Sequence, residues 1–192
     1  SKDGIRPVIA ESGTLFIQRS GKSLREFNFS DVELSYISNN ISLLSSHLLK
    51  APSDMALRRA TSTDEGDLLL IVNGTDGNLT TYSILKGQQV VAPSSQTTDG
   101  DFINVGVDVD TTYFVIKRSI NGSTVYNVEK WNDDFTLDSA VQYSTVAGNL
   151  PGSTSISGLT HLEAKSVKVI NNGRTLANET VSSGAITSDE TP

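Results

Sequence analysis

The chain has 192 residues, 36 % of them hydrophobic, no cysteine, and a formal net charge of −7. That length holds one good core, or one core plus a small module, and the missing thiols exclude disulfide staples, thiolate metal sites and thiol nucleophiles. The acidic balance argues against tight nucleic-acid binding, which needs a basic face to displace counterions from phosphates, and no run approaches the roughly 20 apolar residues of a membrane helix.

The amino-terminal SKDGIRPVIAE lacks the basic and apolar blocks of a signal peptide and reads as the middle of a longer polypeptide, which leaves localisation open. Thr14–Arg19 and Ser23–Phe29 then predict two strands joined by Ser20-Gly21-Lys22, with Leu24, Phe27 and Phe29 supplying apolar contacts. Behind Asn39-Asn40, the spacing of Ile41, Leu44 and Leu48 predicts one short helix, capped by asparagine and stopped before Pro52.

Asp54–Arg58 predicts the next strand, followed by an acidic loop and Leu68–Val72, a continuous apolar run of the kind found where both faces of a strand are covered. Leu79–Leu85 alternates, and Lys86-Gly87 turns the chain into QQVVA before Pro93. Phe102–Val109 alternates in turn. Tyr113–Ile120 and Thr124–Trp131 flank Asn121-Gly122, where both positions of a type I′ turn demand positive φ, and Leu137–Tyr143 reads as a following edge strand.

One pattern thus recurs near 5–50, 51–100 and 101–143: a short strand, a longer hairpin and a turn-rich exit. Units of this size bury their hydrophobic faces only by stacking. The fold class read from the sequence is mainly β, with about three blade-like, propeller-like stacked antiparallel sheets over 1–143 and one short helix. A linker over 144–157 and a small carboxy-terminal β module over 158–192, which reads as stopping inside a domain, complete the organisation. A β-sandwich competes with the propeller, because alternating strands at this spacing serve either.

The candidates for chemistry each have a plainer explanation. His47 and His161, with no cysteine and no helical His pair, do not make a zinc site, and packing or loop orientation accounts for them. Asp101, Asp108 and Asp110, or Asp64, Glu65 and Asp67, could gather oxygens for calcium, but lack EF-hand spacing and suit turns. Asp133 and Asp134 beside Trp131 suggest glycosidase parts, yet neighbours on a strand point to opposite faces and cannot bracket one bond. Arg58-Arg59 and Lys117-Arg118 read as edge-protecting or intersubunit ion-pairing residues. The sequons at Asn28, Asn40, Asn73, Asn78, Asn121 and Asn178 fit turn usage better than glycosylation, and Gly74, Gly77 and Gly122 fit hairpins rather than a phosphate loop. No catalytic, cofactor-binding or metal residue is assigned.

Two stretches carry a resemblance: the hairpin with Phe16, Arg19, Ser20, Gly21, Arg25 and Glu26, and the segment with Gly158, Leu159, His161, Leu162, Glu163 and Lys165. With the order of elements between them, the chain resembles the tail tube, nozzle or stabilisation proteins of short-tailed bacteriophages over most of its length. The resemblance implies propeller-like β domains in a ring around a DNA channel: a structural virion protein, not an enzyme, made in the bacterial cytoplasm and carried in the phage tail. Its implied partners are other tail proteins and copies of itself, with DNA passing during ejection without specific binding, and no cofactor, small-molecule substrate or membrane span. The alternative is a host-glycan or receptor-binding module using Tyr36, Tyr113 or Trp131.

Overall fold

The computed structural model describes residues 1–11, 13–62, 65–135, 137–142, 154–171 and 173–188. The protein is mainly β, built from several antiparallel sheets, and contacts divide it into Ser1–Arg118 with Tyr126–Thr136, and Ser119–Val125 with Leu137–Pro192. Among the described residues no sheet closes into a barrel.

Unit one is a run of meanders. The first sheet joins β1 (Val8–Ala10), β2 (Gly13–Ile17), β3 (Leu24–Ser30) and β4 (Ser35–Asn40) in sequence order. The second joins β5 (Pro52–Arg58), β6 (Asp67–Asn73), β7 (Leu79–Leu85) and β8 (Val90–Gln96) likewise, and the third has β9 (Asp101–Asp108), β10 (Thr111–Ile120) and β11 (Ser123–Lys130). Each first strand neighbours the next, β1 against β5 and β5 against β9.

Strand β6 shows why the sheets stack. Its odd residues Leu69 and Ile71 join Leu15, Ile17, Leu24, Met55 and Tyr82 in one core. Its even residues Leu70 and Val72 join Leu79, Phe102, Phe114 and Ile116 in a second. A strand covered on both faces needs apolar side chains at every position, which is what its unbroken run supplies. At roughly 1.5–3 kcal/mol for each large side chain buried, these two layers dominate the stability of the unit.

The expected helix behind Asn40 does not form. Only Ser46–Leu48 makes a 3₁₀ turn, and Leu44 is 93 % exposed, so the helical spacing of Ile41, Leu44 and Leu48 marks no buried stripe. Local hydroxyl bonding wins instead. Asn40 Oδ1 accepts from the Ser42 amide at 3.1 Å, Ser42 Oγ accepts from the Leu24 amide at 2.9 Å, and buried Ser45 reaches Tyr82. Strand β4, which the sequence did not predict, runs into this segment.

Three further expectations need correction. Strand β8 continues through Pro93, tolerated because β8 is a sheet edge where the missing N–H faces no ladder partner. Residues 137–142 form no strand and Tyr143 lies outside the described residues, so the third sheet has three strands. Of the apolar trio in the first hairpin only Leu24 enters the core; Phe27 and Phe29, at odd spacing from it, face the other way and are exposed. The Asn121-Gly122 turn has φ of 48° and 75°, as a type I′ turn requires.

Unit two is a nested ladder. β12 (Thr154–Ser157) pairs with β17 (Ala185–Ser188), β13 (Ser166–Val167) with β16 (Glu179–Thr180), and β14 (Ile170–Asn171) with β15 (Arg174–Thr175). Leu159, Val181 and Ile186 are its buried centre. The linker expected over 144–157 falls on residues outside the described ones except for 154–157, which are strand β12.

Candidate functional site

Two of the carboxylates singled out in the sequence, Glu65 and Asp67, are engaged by backbone amides. Asp67 accepts from the Ala60 amide at 3.0 Å through Oδ1 and from the Glu11 amide at 3.3 Å through Oδ2, and Glu65 holds Thr61 by its amide and hydroxyl. Asp64 lies outside the described residues. Asp101 opens β9 and Asp108 closes it, so that trio is split between the two ends of one strand. Among the described residues no group of three or more His, Asp or Glu is placed to hold a metal ion.

The glycosidase parts are likewise committed to structure. Asp133 accepts from Trp131 Nε1 at 2.6 Å and from Arg58 Nη1 at 3.1 Å, while Trp131 packs on Phe114 with ring centroids 5.8 Å apart. Asp134 is exposed and its amide bonds Asn132. The basic pairs also make bonds within the chain. Arg118 is buried, its Nε and Nη2 donating to Glu129 at 2.6 and 2.7 Å and its Nη1 to the Asp99 carbonyl at 3.0 Å; Lys117 meets Asp101 at 3.4 Å. Arg59 donates to the Ile9 carbonyl at 2.9 Å.

His47 is exposed on its 3₁₀ turn, not packed. In unit two Glu163, rather than His161, orients the neighbouring loop: its two carboxylate oxygens accept from the Ser183 and Gly184 amides at 2.9 and 2.7 Å. Asn73 is 1 % exposed, with its side chain bonded to the Leu48 carbonyl, the Lys50 amide and Thr80, which removes that sequon from any folded surface. Gly77, at φ 65°, lies so close to Asp101 that a side chain there would collide with it.

Two ionisable groups respond to these surroundings. Burial pushes the Asp76 carboxyl up, but the Lys50 ammonium at 2.8 Å and the Asn78 amide outweigh it and leave the group below the usual carboxylate range. Burial raises the Tyr82 hydroxyl above its ordinary value, partly offset by Ser45 at 3.0 Å.

A cleft of about 250 Å³ opens among Leu15, Glu26, Ile41, Ile84, Lys86 and Val90. It is below the roughly 300–1,000 Å³ of typical ligand pockets and brings no pair of acids together. The feature that sequence reasoning missed is an aromatic surface on the outer face of the first sheet. Phe27 stacks on Tyr36 with centroids 5.3 Å apart and planes 6° from parallel, and Phe29 meets the same ring edge-on at 5.3 Å. Tyr36 is 70 % exposed. Strand parity was the available signal: residues 27 and 29 alternate against core residue 24.

No protein-family model matches the sequence, and no curated protein matches it.

Proposed function

We propose that the chain is a structural component of a bacteriophage virion, a propeller-like module of a tail tube or nozzle assembly, and not an enzyme. The observation that carries this reading is the sheet order of unit one: successive meanders whose first strands β1, β5 and β9 lie side by side, as the inner strands of propeller blades do. Polar side chains at the sheet interfaces are spent on holding one sheet to the next, as with Asp54 accepting from the Val105 amide at 3.0 Å. The work such a module does is mechanical. Its partners would be copies of itself in a ring and other tail proteins, and its net charge of −7 suits a wall past which DNA slides without binding. Among the described residues no helix is long and apolar enough to cross a membrane. The chain would be made in the bacterial cytoplasm and carried in the virion tail, with no cofactor or small-molecule substrate. Incubating the purified chain with tail particles lacking it tests the reading: stable incorporation supports it, and exclusion from the particle overturns it.

A second reading, a receptor module for host glycan, is favoured by the exposed cluster of Phe27, Phe29 and Tyr36, since flat aromatic faces in water suit sugar stacking. Glycan-array binding that disappears in Tyr36→Ala and survives in Trp131→Ala would select it over the first. No binding by the parent chain would remove it.

A further inference from the structure

The connectivity of unit one sorts its loops into two ends, since alternate turns of an antiparallel meander fall on opposite sides of the sheet. Cross-sheet bonds align those ends. The Glu11 amide meets Asp67 and Arg59 meets the Ile9 carbonyl, joining the β1–β2 turn to the β5–β6 loop. Arg58 reaches Asp133, just past Trp131, whose amide donates to the Thr112 carbonyl at the start of β10. At the other end the Thr75 amide donates to the Lys50 carbonyl and the Phe102 amide to the Gly77 carbonyl. The β3–β4 and β9–β10 turns therefore share one end, and the β2–β3 turn shares the other with the β4–β5 connection.

The two ends carry opposite charge. The first presents Glu11, Asp31, Glu33, Glu65, Asp108, Asp110 and Asp134, while Arg58 and Arg59 there are engaged by Asp133 and the Ile9 carbonyl and Lys86 and Lys130 are further cations. The second presents Lys2, Arg6, Arg19, Lys22 and Lys50, against Asp3 and Asp99, with Asp76 and Asp101 paired to Lys50 and Lys117. Each end also exposes apolar side chains. Val32, Leu34 and Val109 are 95, 79 and 86 % exposed at the first end, and Leu43 and Leu44 are 71 and 93 % exposed at the second. Leu34 and Val109 stand at φ of 50° and 57°, where glycine or asparagine would be cheap and a branched side chain is strained. A large apolar residue held at a strained, solvated turn serves no packing within the chain.

We infer that the acidic end of one copy docks on the basic end of a second copy, head to tail. Val32 and Leu34 meet Leu43 and Leu44 at the centre, and Asp31 and Glu33 face Arg19 and Lys22 at the rim. This is the usual division of an interface into an apolar middle and a polar edge. The contact is heterologous, so each docked copy leaves one end free and assembly continues until the geometry closes. The inference gives a contact to the self-association named in the proposed function, but it is argued from loop charge and connectivity and its test is independent of incorporation into a virion.

Sedimentation of the whole chain tests it. At about 0.01 M salt, where charges are felt over about 30 Å, average mass rises with protein concentration; at about 1 M salt, where screening acts within about 3 Å, it falls toward the monomer. Asp31→Lys with Glu33→Lys gives the first end a basic rim like that of the second, and Arg19→Glu with Lys22→Glu gives the second an acidic rim like that of the first. Each double variant, with the circular dichroism of the parent, sediments as a monomer alone. An equimolar mixture regains association at least about tenfold tighter than either alone, about 1.4 kcal/mol. A parent chain that stays monomeric at low salt at every concentration, or a mixture that stays monomeric, overturns the proposal.

Discussion

Asp54 on β5 accepts the backbone amide of Val105 on β9 at 3.0 Å, and the same oxygen takes Asn104 Nδ2 at 3.3 Å. One half-buried carboxylate thus bonds the first strand of one sheet to the first strand of the next. Asp54→Ala is expected to cost about 1.5–3 kcal/mol, the range for a hydrogen bond to a charged group. Trp131, the sole tryptophan, lies in unit one, so denaturant unfolding followed by its fluorescence reads the loss there. An unchanged midpoint would show that the sheets are held by apolar contact alone.

The buried pair of Arg118 and Glu129 behaves asymmetrically when cut. Arg118 is 3 % exposed, so Glu129→Gln removes the carboxylate that its Nε and Nη2 both meet and should destabilise unit one by about 3–5 kcal/mol. Replacing both, with Arg118→Met and Glu129→Leu, should cost less than the single change, because neither half of the pair is left behind in the sheet. Equal losses would contradict this account of the pair.

Tyr82 and Ser45 bind the β4–β5 connection to the second sheet through hydroxyls 3.0 Å apart. Tyr82→Phe and Ser45→Ala each strand a buried hydroxyl and should cost about 1–3 kcal/mol, while the double variant loses less than their sum. The raised Tyr82 ionisation also has a sign. Its contribution is complete below the unfolded value of about 10 and disappears as pH climbs through the higher folded value, so Tyr82→Phe should flatten the alkaline limb of the stability curve.

Asp76 gives the opposite limb. Its carboxyl titrates below the unfolded value of about 3.9, so the stabilisation it shares with Lys50 is present above that pH and lost as pH falls through the lower folded value. Asp76→Asn should therefore lower stability at neutral pH and flatten the acid limb below about pH 4. Thermal midpoints taken across that range decide it; parallel curves for parent and variant would contradict the assignment.

The strands were legible where one residue type had one physical explanation. Leu68–Val72 could alternate no polar face, and the structure covers β6 on both sides. Asn121-Gly122 could adopt two positive φ values more cheaply than other pairs, and does. The segment from Ile41 to Leu49 misled because its spacing fits a helix, while Asn40, Ser42 and Ser45 offer side-chain bonds that compete with helical ones, an outcome set by the distant Leu24 and Tyr82. Strand β4 was illegible since SYISNN carries little apolar alternation, as an edge strand allows. Of the aromatic surface, the residues were visible but their side was not: placing Phe27 and Phe29 outside requires the register that puts Leu24 inside.

The most direct test of an assembly role is quantitative mass spectrometry of purified particles produced by the genome that encodes the chain. A constant copy number per particle, in the ratio of a closed ring to the other tail proteins, is the result expected. Particles that contain none of it, together with glycan turnover by the isolated chain, would contradict the reading.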